Sequence, residues 1–213
     1  MKFDVSQLAV YFIMGSNNCG GEDPLEILSE ALAGGITCFQ FREKGMYAKT
    51  GEEKEELARQ MQEMCQSYQV PFIVNDDIDL AIKLNADGVH VGQDDQAVEE
   101  IKKLRSDLII GVSATSVEEA VQAVDDGATY IGVGPVFATA TKSDAKTPIG
   151  LYGIRSVRAA VPSIPMVAIG GIDLSKIRSI RQAGADGVSV ISAISLARKP
   201  RVMVESMRRE YRK

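Results

Sequence analysis

The sequence predicts an α/β protein built as a single (β/α)8 TIM barrel, with its active site at the C-terminal rim of the strands. Three observations predict it. Eight apolar runs of strand length recur along the 213 residues. Segments of helical period separate them, and strands that read as continuous apolar runs are those buried on both faces of a parallel sheet. A helix-stop, strand-start phrase also repeats, at Asn85-Ala86-Asp87-Gly88-Val89, Gly127-Ala128-Thr129-Tyr130-Ile131 and Gly184-Ala185-Asp186-Gly187-Val188, with Gly34-Gly35-Ile36-Thr37 a looser copy. Gly or Asn at these points suits the left-handed residue that ends a helix. An open doubly wound sheet is the alternative arrangement.

The elements follow in order. Leu8–Met14 is the first strand, and Pro24–Ala33 is the first helix. Cys38–Phe41 runs into Arg42-Glu43-Lys44, followed by the helical segment Gly51–Tyr68. Pro71–Val74 ends in Asn75-Asp76-Asp77 and precedes the short amphipathic stretch Ile78–Leu84. Gly88–Val91 contains the only histidine, His90, and ends in Gly92-Gln93-Asp94-Asp95 before the helix Ala97–Leu104. The strands Leu108–Val112, Tyr130–Val133, Pro165–Ile169 and Gly187–Ile191 then alternate with the helices Val117–Val124, Leu151–Ala160, Leu174–Gln182 and Ala193–Tyr211. No linker divides residues 1–213, which reads as one domain.

Composition narrows the function. The chain is 45% hydrophobic and 25% charged, an ordinary globular balance. A net charge of −5 gives no reason to expect nucleic acid or an anionic membrane as partner. No apolar run approaches the roughly 20 residues of a membrane span, and Lys2 and Asp4 flank no secretory signal. Cys19, Cys38 and Cys65 are odd in number and match no metal spacing, which fits a reduced, cytoplasmic chain.

Polar chemistry collects just after the strands. Asp76-Asp77 and Asp94-Asp95 follow successive parallel strands, whose ends lie side by side. Two acidic clusters at one rim call for a cation, and hard carboxylate oxygens suit Mg²⁺. Asp77 and Asp95 equally fit the caps of the helices that follow them. Arg42, Lys44 and Lys142 add positive charge at the same rim, as a metal-bound polyphosphate would require, although a solvated salt bridge with Glu43 or Asp76 also accounts for Arg42 and Lys44. Gly170-Gly171 and Ile191-Ser192 follow the seventh and eighth strands and open helices, the usual phosphate position of a barrel. The loop Gly134–Gly150 is long enough to be a lid or a surface excursion. With a single histidine, no two-histidine acid–base pair exists, and His90 itself fits a packed structural role as well as a site role.

In order and spacing, Tyr11–Asn18, Gln40–Lys44, Val74–Asp77, Gly88–Asp95, Gly111–Ala114, Gly134–Phe137 with Thr139, Thr141 and Lys142, Ile169–Ile172 and Val190–Ser192 closely resemble the thiamine-phosphate synthase family. The resemblance covers nearly the whole chain. It implies a Mg²⁺-dependent transferase that joins hydroxymethylpyrimidine diphosphate to thiazole phosphate, giving thiamine phosphate and pyrophosphate. Carried over, Asp76 and Asp95 hold Mg²⁺. Arg42, Lys44, Asn75, Ser113 and Lys142 hold the diphosphate, with Lys142, Ser113 and Arg42 as the catalytic set. Gln40 and His90 face the pyrimidine, with Tyr11 nearby. Thr139 and Thr141, with Gly171, Ile191 and Ser192, hold the thiazole phosphate. Relatives imply a homo-oligomer. Two departures stand out: Thr115 lies where many relatives carry a nearby histidine, and the loop Cys19–Glu22 is slightly long. The rival readings are a thiazole tautomerase, which would place a catalytic histidine where this chain has Pro135, a sugar-phosphate isomerase or aldolase, and a non-catalytic binding protein on the same scaffold.

Overall fold

The computed structural model describes residues 3–93, 95–139 and 147–212. Its strands are β1 (Val10–Met14), β2 (Cys38–Phe41), β3 (Phe72–Asn75), β4 (Gly88–Val91), β5 (Ile109–Ala114), β6 (Tyr130–Val133), β7 (Met166–Ile169) and β8 (Gly187–Val190). They pair in parallel in sequence order, and β1 pairs with β8 as well as with β2, so the barrel is closed. This excludes the open sheet.

The two-residue alternation of a strand sorts the side chains into two cores. Tyr11, Ile13, Cys38, Ile73, Ile109, Tyr130, Val167 and Ile191 share one cluster, the barrel interior. Their neighbours Phe12, Phe39, Phe72, Val89, Ile110, Ile131, Ala168 and Val188 belong to the other, which the surrounding helices cover. Gln40, Asn75, His90, Ser113 and Ser189 share the inward parity with the first set. Polar chemistry is therefore written into the interior positions nearest the C-terminal ends of the strands.

Among the described residues the helices are α1 (Pro24–Gly34), α2 (Gly51–Ser67), α3 (Ile78–Lys83), α4 (Val98–Leu104), α5 (Val117–Asp125), α6 (Gly150–Ala160), α7 (Ile177–Gln182), α8 (Ser192–Ser195) and α9 (Pro200–Arg212). Side-chain caps define several starts: the Asp23 carboxylate accepts from the Leu25 N–H, and Ser116 from the Glu119 N–H. The repeated junction phrase behaves as read, with Gly35, Asn85, Gly127 and Gly184 all at positive φ.

The helix expected over Leu174–Gln182 opens with a 3-10 turn, Leu174–Lys176, before α7, and two further segments differ from the sequence reading. β1 begins at Val10 rather than Leu8, because Val5–Leu8 form a 3-10 turn capped by Asp4, and Leu8 joins the interior cluster. The helix expected over Ala193–Tyr211 is two helices. Pro200 has no N–H to continue a ladder, so it opens α9 instead of extending α8. α9 turns Val204 and Met207 inward, both fully buried, and packs against α1 and α7.

Candidate active site

A line of hydrogen bonds crosses the barrel interior. The Gln40 amide donates to the Tyr11 hydroxyl at 3.0 Å, and the Tyr11 and Tyr130 hydroxyls lie 2.8 Å apart. The Tyr130 hydroxyl is 3.0 Å from His90 Nδ1, and His90 Nε2 is 3.0 Å from Ser113 Oγ. These side chains come from β2, β1, β6, β4 and β5, so only a closed barrel assembles them. Gln40 is 2% exposed and both tyrosines are fully enclosed. Burial pushes both phenols well above the ordinary tyrosine value, so they stay protonated donors. Room for the line comes from two interior glycines. A methyl at Gly111 would sit 2.2 Å from Tyr130 Cζ and 2.5 Å from His90 Nδ1, and one at Gly132 would sit 3.0 Å from His90 Cε1.

Above this line lies a charged rim. Asp76 is the centre of a tight turn closed by the Asp77 N–H on the Asn75 carbonyl at 2.7 Å. Its φ is 61°, a left-handed value that a non-glycine residue adopts at some cost and that recurs at functional sites. Its N–H donates to the His90 carbonyl at 2.9 Å, which ties β3 to β4. Lys44 Nζ lies 2.5 Å from Asp76 Oδ2. The lysine's pKa is raised by that bond first, with the Coulomb attraction of Asp76 and Asp95 adding to it and burial and Arg42 opposing. Lys44, Arg42, Asp76 and Asp95 thus feel one another at one place. Asp95 Oδ2 accepts the Gly92 N–H at 2.6 Å, whereas the α4 N-cap is Ala97. Asp95 therefore folds back over the end of β4 instead of capping α4. Asp77 does cap α3, accepting from the Leu80 N–H, and also pairs with Lys54 at 2.5 Å.

Glu43 is buried and does not pair with Arg42 or Lys44. It accepts from the Ser16 N–H at 2.7 Å, the Ser16 hydroxyl at 2.5 Å and the Lys49 N–H at 2.7 Å, and so clasps the loops after β1 and β2. The salt bridge considered for Lys44 exists, with Asp76 as partner. That pairing is also informative about a metal. An ammonium sits on Asp76, and Asp95 turns to the Gly92 N–H. Among the described residues no group of three or more His, Cys, Asp or Glu side chains stands together as a metal site, so a cation here would need ligand oxygens to complete its shell.

Beside the rim is a cavity of about 510 Å³. Gly92, Gln93 and Ser113 form one wall, and Thr139, Gly170, Gly171, Ile191 and Ser192 form the other. Gly170 and Gly171 have φ of 100° and 62°, a turn that brings bare backbone to the cavity. The first N–H groups of α8 have no intrahelical acceptor and open at the same end. Ser189 lines the cavity too; it is 2% exposed and its Oγ has no hydrogen-bond partner. A second cavity of about 590 Å³ is lined by Lys44 of the rim together with Glu43, Lys54, Asp77 and Lys83, and its lysines are paired, as in Lys44–Asp76, Lys54–Asp77 and Lys83–Glu55.

The family described as thiamine monophosphate synthase matches residues 10–194. The chain belongs to this family. A thiamine-phosphate synthase of Bacillus thuringiensis (strain Al Hakam) is 56% identical over 197 residues, 92% of this chain and 90% of that one. A solved structure of thiamine phosphate pyrophosphorylase from Pyrococcus furiosus superposes with a TM-score of 0.88 at 36% identity, over 98% of this chain and 97% of the other. A 3-hexulose-6-phosphate synthase structure, at 14% identity and TM-score 0.67, shares the fold alone.

Within this family frame, the structure gathers the described residues carried over from the resemblance into three groups. Tyr11, Gln40, His90 and Ser113 form the interior line, and Arg42, Lys44, Asn75, Asp76 and Asp95 lie at or just below the rim. Thr139, Gly171, Ile191 and Ser192 line the cavity. Thr141 and Lys142 lie outside the described residues, as does much of the loop read as a lid. Thr115 lines the cavity and is held by Glu119, which accepts from its N–H and its hydroxyl. Sequence reasoning missed Tyr130 and Ser189. Tyr130 stands in an apolar strand and reads as core, and Ser189 is one small residue between two valines. The signal that finds them is parity: both fall on the inward register of their strands.

Proposed function

We propose that the protein forms thiamine phosphate from hydroxymethylpyrimidine diphosphate and thiazole phosphate, releasing pyrophosphate. The observation that supports this reading is two anion-suited groups at the same end of the barrel: Lys44 on Asp76 with Arg42 and Asp95 acting on it, and, beside them, a cavity lined by Gly171, Ile191 and Ser192. The family's synthases support it, and Pro135 stands in the cavity wall where the tautomerase reading would need a histidine.

The chemistry then needs charge stabilisation more than proton transfer. The bond between the pyrimidine methylene and the diphosphate oxygen breaks, and its electron pair leaves with the diphosphate. Arg42 and Lys44, joined by Lys142, hold the growing negative charge. The aminopyrimidine ring delocalises the positive charge left on the methylene. The thiazole nitrogen attacks through its lone pair, forming the new C–N bond with no proton to lose. Bound by Asp76 and Asp95, Mg²⁺ would supply Lewis-acid stabilisation of the leaving group. Gln40 and His90 orient the pyrimidine, and Ser113 donates to a ligand oxygen. Thr139 and Thr141 hold the thiazole phosphate with the backbone of Gly171, Ile191 and Ser192. A cytoplasmic setting suits three buried, unbridged cysteines. Among the described residues no helix is long and apolar enough to cross a membrane. A homo-oligomer is expected from the resemblance.

Pyrophosphate release is the test, measured with each substrate alone, with both together, with Mg²⁺, with chelator, and in Asp76→Ala. Release that needs both substrates, Mg²⁺ and Asp76 is expected. Release from the pyrimidine substrate alone would make the protein a hydrolase, and no release under any condition would overturn the reading.

A further inference from the structure

We infer that Tyr130 is a positioning residue: its hydroxyl donates to His90 Nδ1, fixes the neutral imidazole as the Nε2–H form, and so leaves the Ser113 hydrogen to point at a ligand oxygen in the cavity. The argument counts donors. A hydroxyl has one hydrogen, and a neutral imidazole has one N–H. The Gln40 amide N–H enters the line at Tyr11 O, so the Tyr11 hydrogen goes to Tyr130 across 2.8 Å. The Tyr130 hydrogen is then committed to His90 Nδ1 at 3.0 Å. With Nδ1 accepting, the ring proton stands on Nε2 and donates to Ser113 Oγ at 3.0 Å. Ser113 is satisfied as an acceptor, its own hydrogen is uncommitted within the line, and its residue lines the cavity.

The register supports a built device. His90, Gly111 and Tyr130 are neighbours on three successive strands, and the missing side chain at Gly111 lets the phenol reach across to the imidazole. The buried phenols stay protonated, so the line keeps its donors. Run in reverse, the same line would place the Gln40 carbonyl against Tyr11 and the ring proton on Nδ1. Ser113 would then donate backward to Nε2 and show only lone pairs to the cavity, which repels an anion. The inference rests on the proposed function only in taking the cavity ligand to be anionic.

The chain has a single histidine, so one spin system reports the tautomer. We would record a two-bond nitrogen–proton correlation spectrum of the whole chain labelled with 15N-histidine, without substrate, at alkaline pH where imidazole is neutral. An Nε2–H, Nδ1-acceptor pattern is expected in the wild type, and an Nδ1–H pattern would overturn the inference. In Tyr130→Phe the two nitrogen signals should move toward each other as the tautomers mix, and an unchanged pattern would refute the role of the phenol. In turnover, Tyr130→Phe should raise KM for the diphosphate substrate about two- to tenfold, the worth of one hydrogen bond. That penalty should vanish in a Ser113→Ala background, and a penalty that persists in full would show that Tyr130 does not act through Ser113. If the proposed reaction fails there is no KM to measure, yet the spectrum still reads the tautomer, so the two failures are distinguishable.

Discussion

At the scale of single residues, Asp76 combines an unfavourable backbone with a rim position. Its left-handed φ of 61° is held by hydrogen bonds on both sides of the turn. Asn tolerates this conformation as well as Asp does, so Asp76→Asn is expected to melt close to the wild type. On the proposed function its activity should fall by on the order of a hundredfold, because a charge at the proposed diphosphate site is lost. Thermal melting and steady-state turnover on the same sample check both halves. Gly111 gives the opposite outcome. A methyl there meets Tyr130 Cζ at 2.2 Å, the Tyr130 hydroxyl at 2.4 Å and His90 Nδ1 at 2.5 Å, side chains held in place by the interior hydrogen-bond line. Gly111→Ala should cost about 1–3 kcal/mol in denaturant unfolding. Tyr130→Phe should rescue it only in part, since the ring carbon remains. Legibility at this scale was uneven. Residues at strand ends announced themselves because charge after an apolar run is unusual. Tyr130 and Ser189 did not, because a tyrosine or serine inside a strand looks the same in sequence whether it lines a cavity or packs in a core.

At the scale of elements, the loop after β3 is fastened by Asp77, which caps α3 and pairs with Lys54 of α2. Burial alone would raise this carboxyl, but the Lys54 bond, the Leu80 N–H and the Lys54 charge together outweigh it and bring the pKa below the ordinary value. A carboxyl depressed in the folded state stabilises fully above its unfolded pKa and loses that contribution as pH falls through the folded one. Asp77→Asn should therefore be less stable than the wild type by up to about 1 kcal/mol at neutral pH, mostly through the partly exposed pair with Lys54, since asparagine keeps the cap. The difference should close as urea unfolding is repeated down to about pH 3. Most elements were legible because apolar period and junction phrase agree. The exceptions were Leu8 and the segment before Pro200. Leu8 is apolar without being in a strand, since its side chain plugs the barrel interior from a 3-10 turn. Ahead of Pro200 the apolar period carries across a break, with α8 ending at Ser195 and α9 opening at the proline.

At the scale of the whole molecule, closure depends on β8 returning to β1, and α9 lies over that region against α1 and α7. Met207 is fully buried there and far along the chain from the rim residues. Met207→Ala is expected to lower stability by about 2–4 kcal/mol in urea unfolding, with kcat unchanged at temperatures where the variant remains folded. The interior hydrogen-bond line carries a further consequence, one for the folding reaction. Tyr11 and Tyr130 are 119 residues apart in sequence, so their bond forms only when much of the chain has been gathered. Any partly assembled state that holds β1 to β4 without β6 would keep the Gln40 bond to Tyr11 but leave the Tyr11 hydrogen and His90 Nδ1 without Tyr130, at about 1–3 kcal/mol for each unmet group that is buried. The polar interior thus penalises half-built barrels more than an all-apolar interior would, and pushes the chain toward completing the ring in one cooperative step.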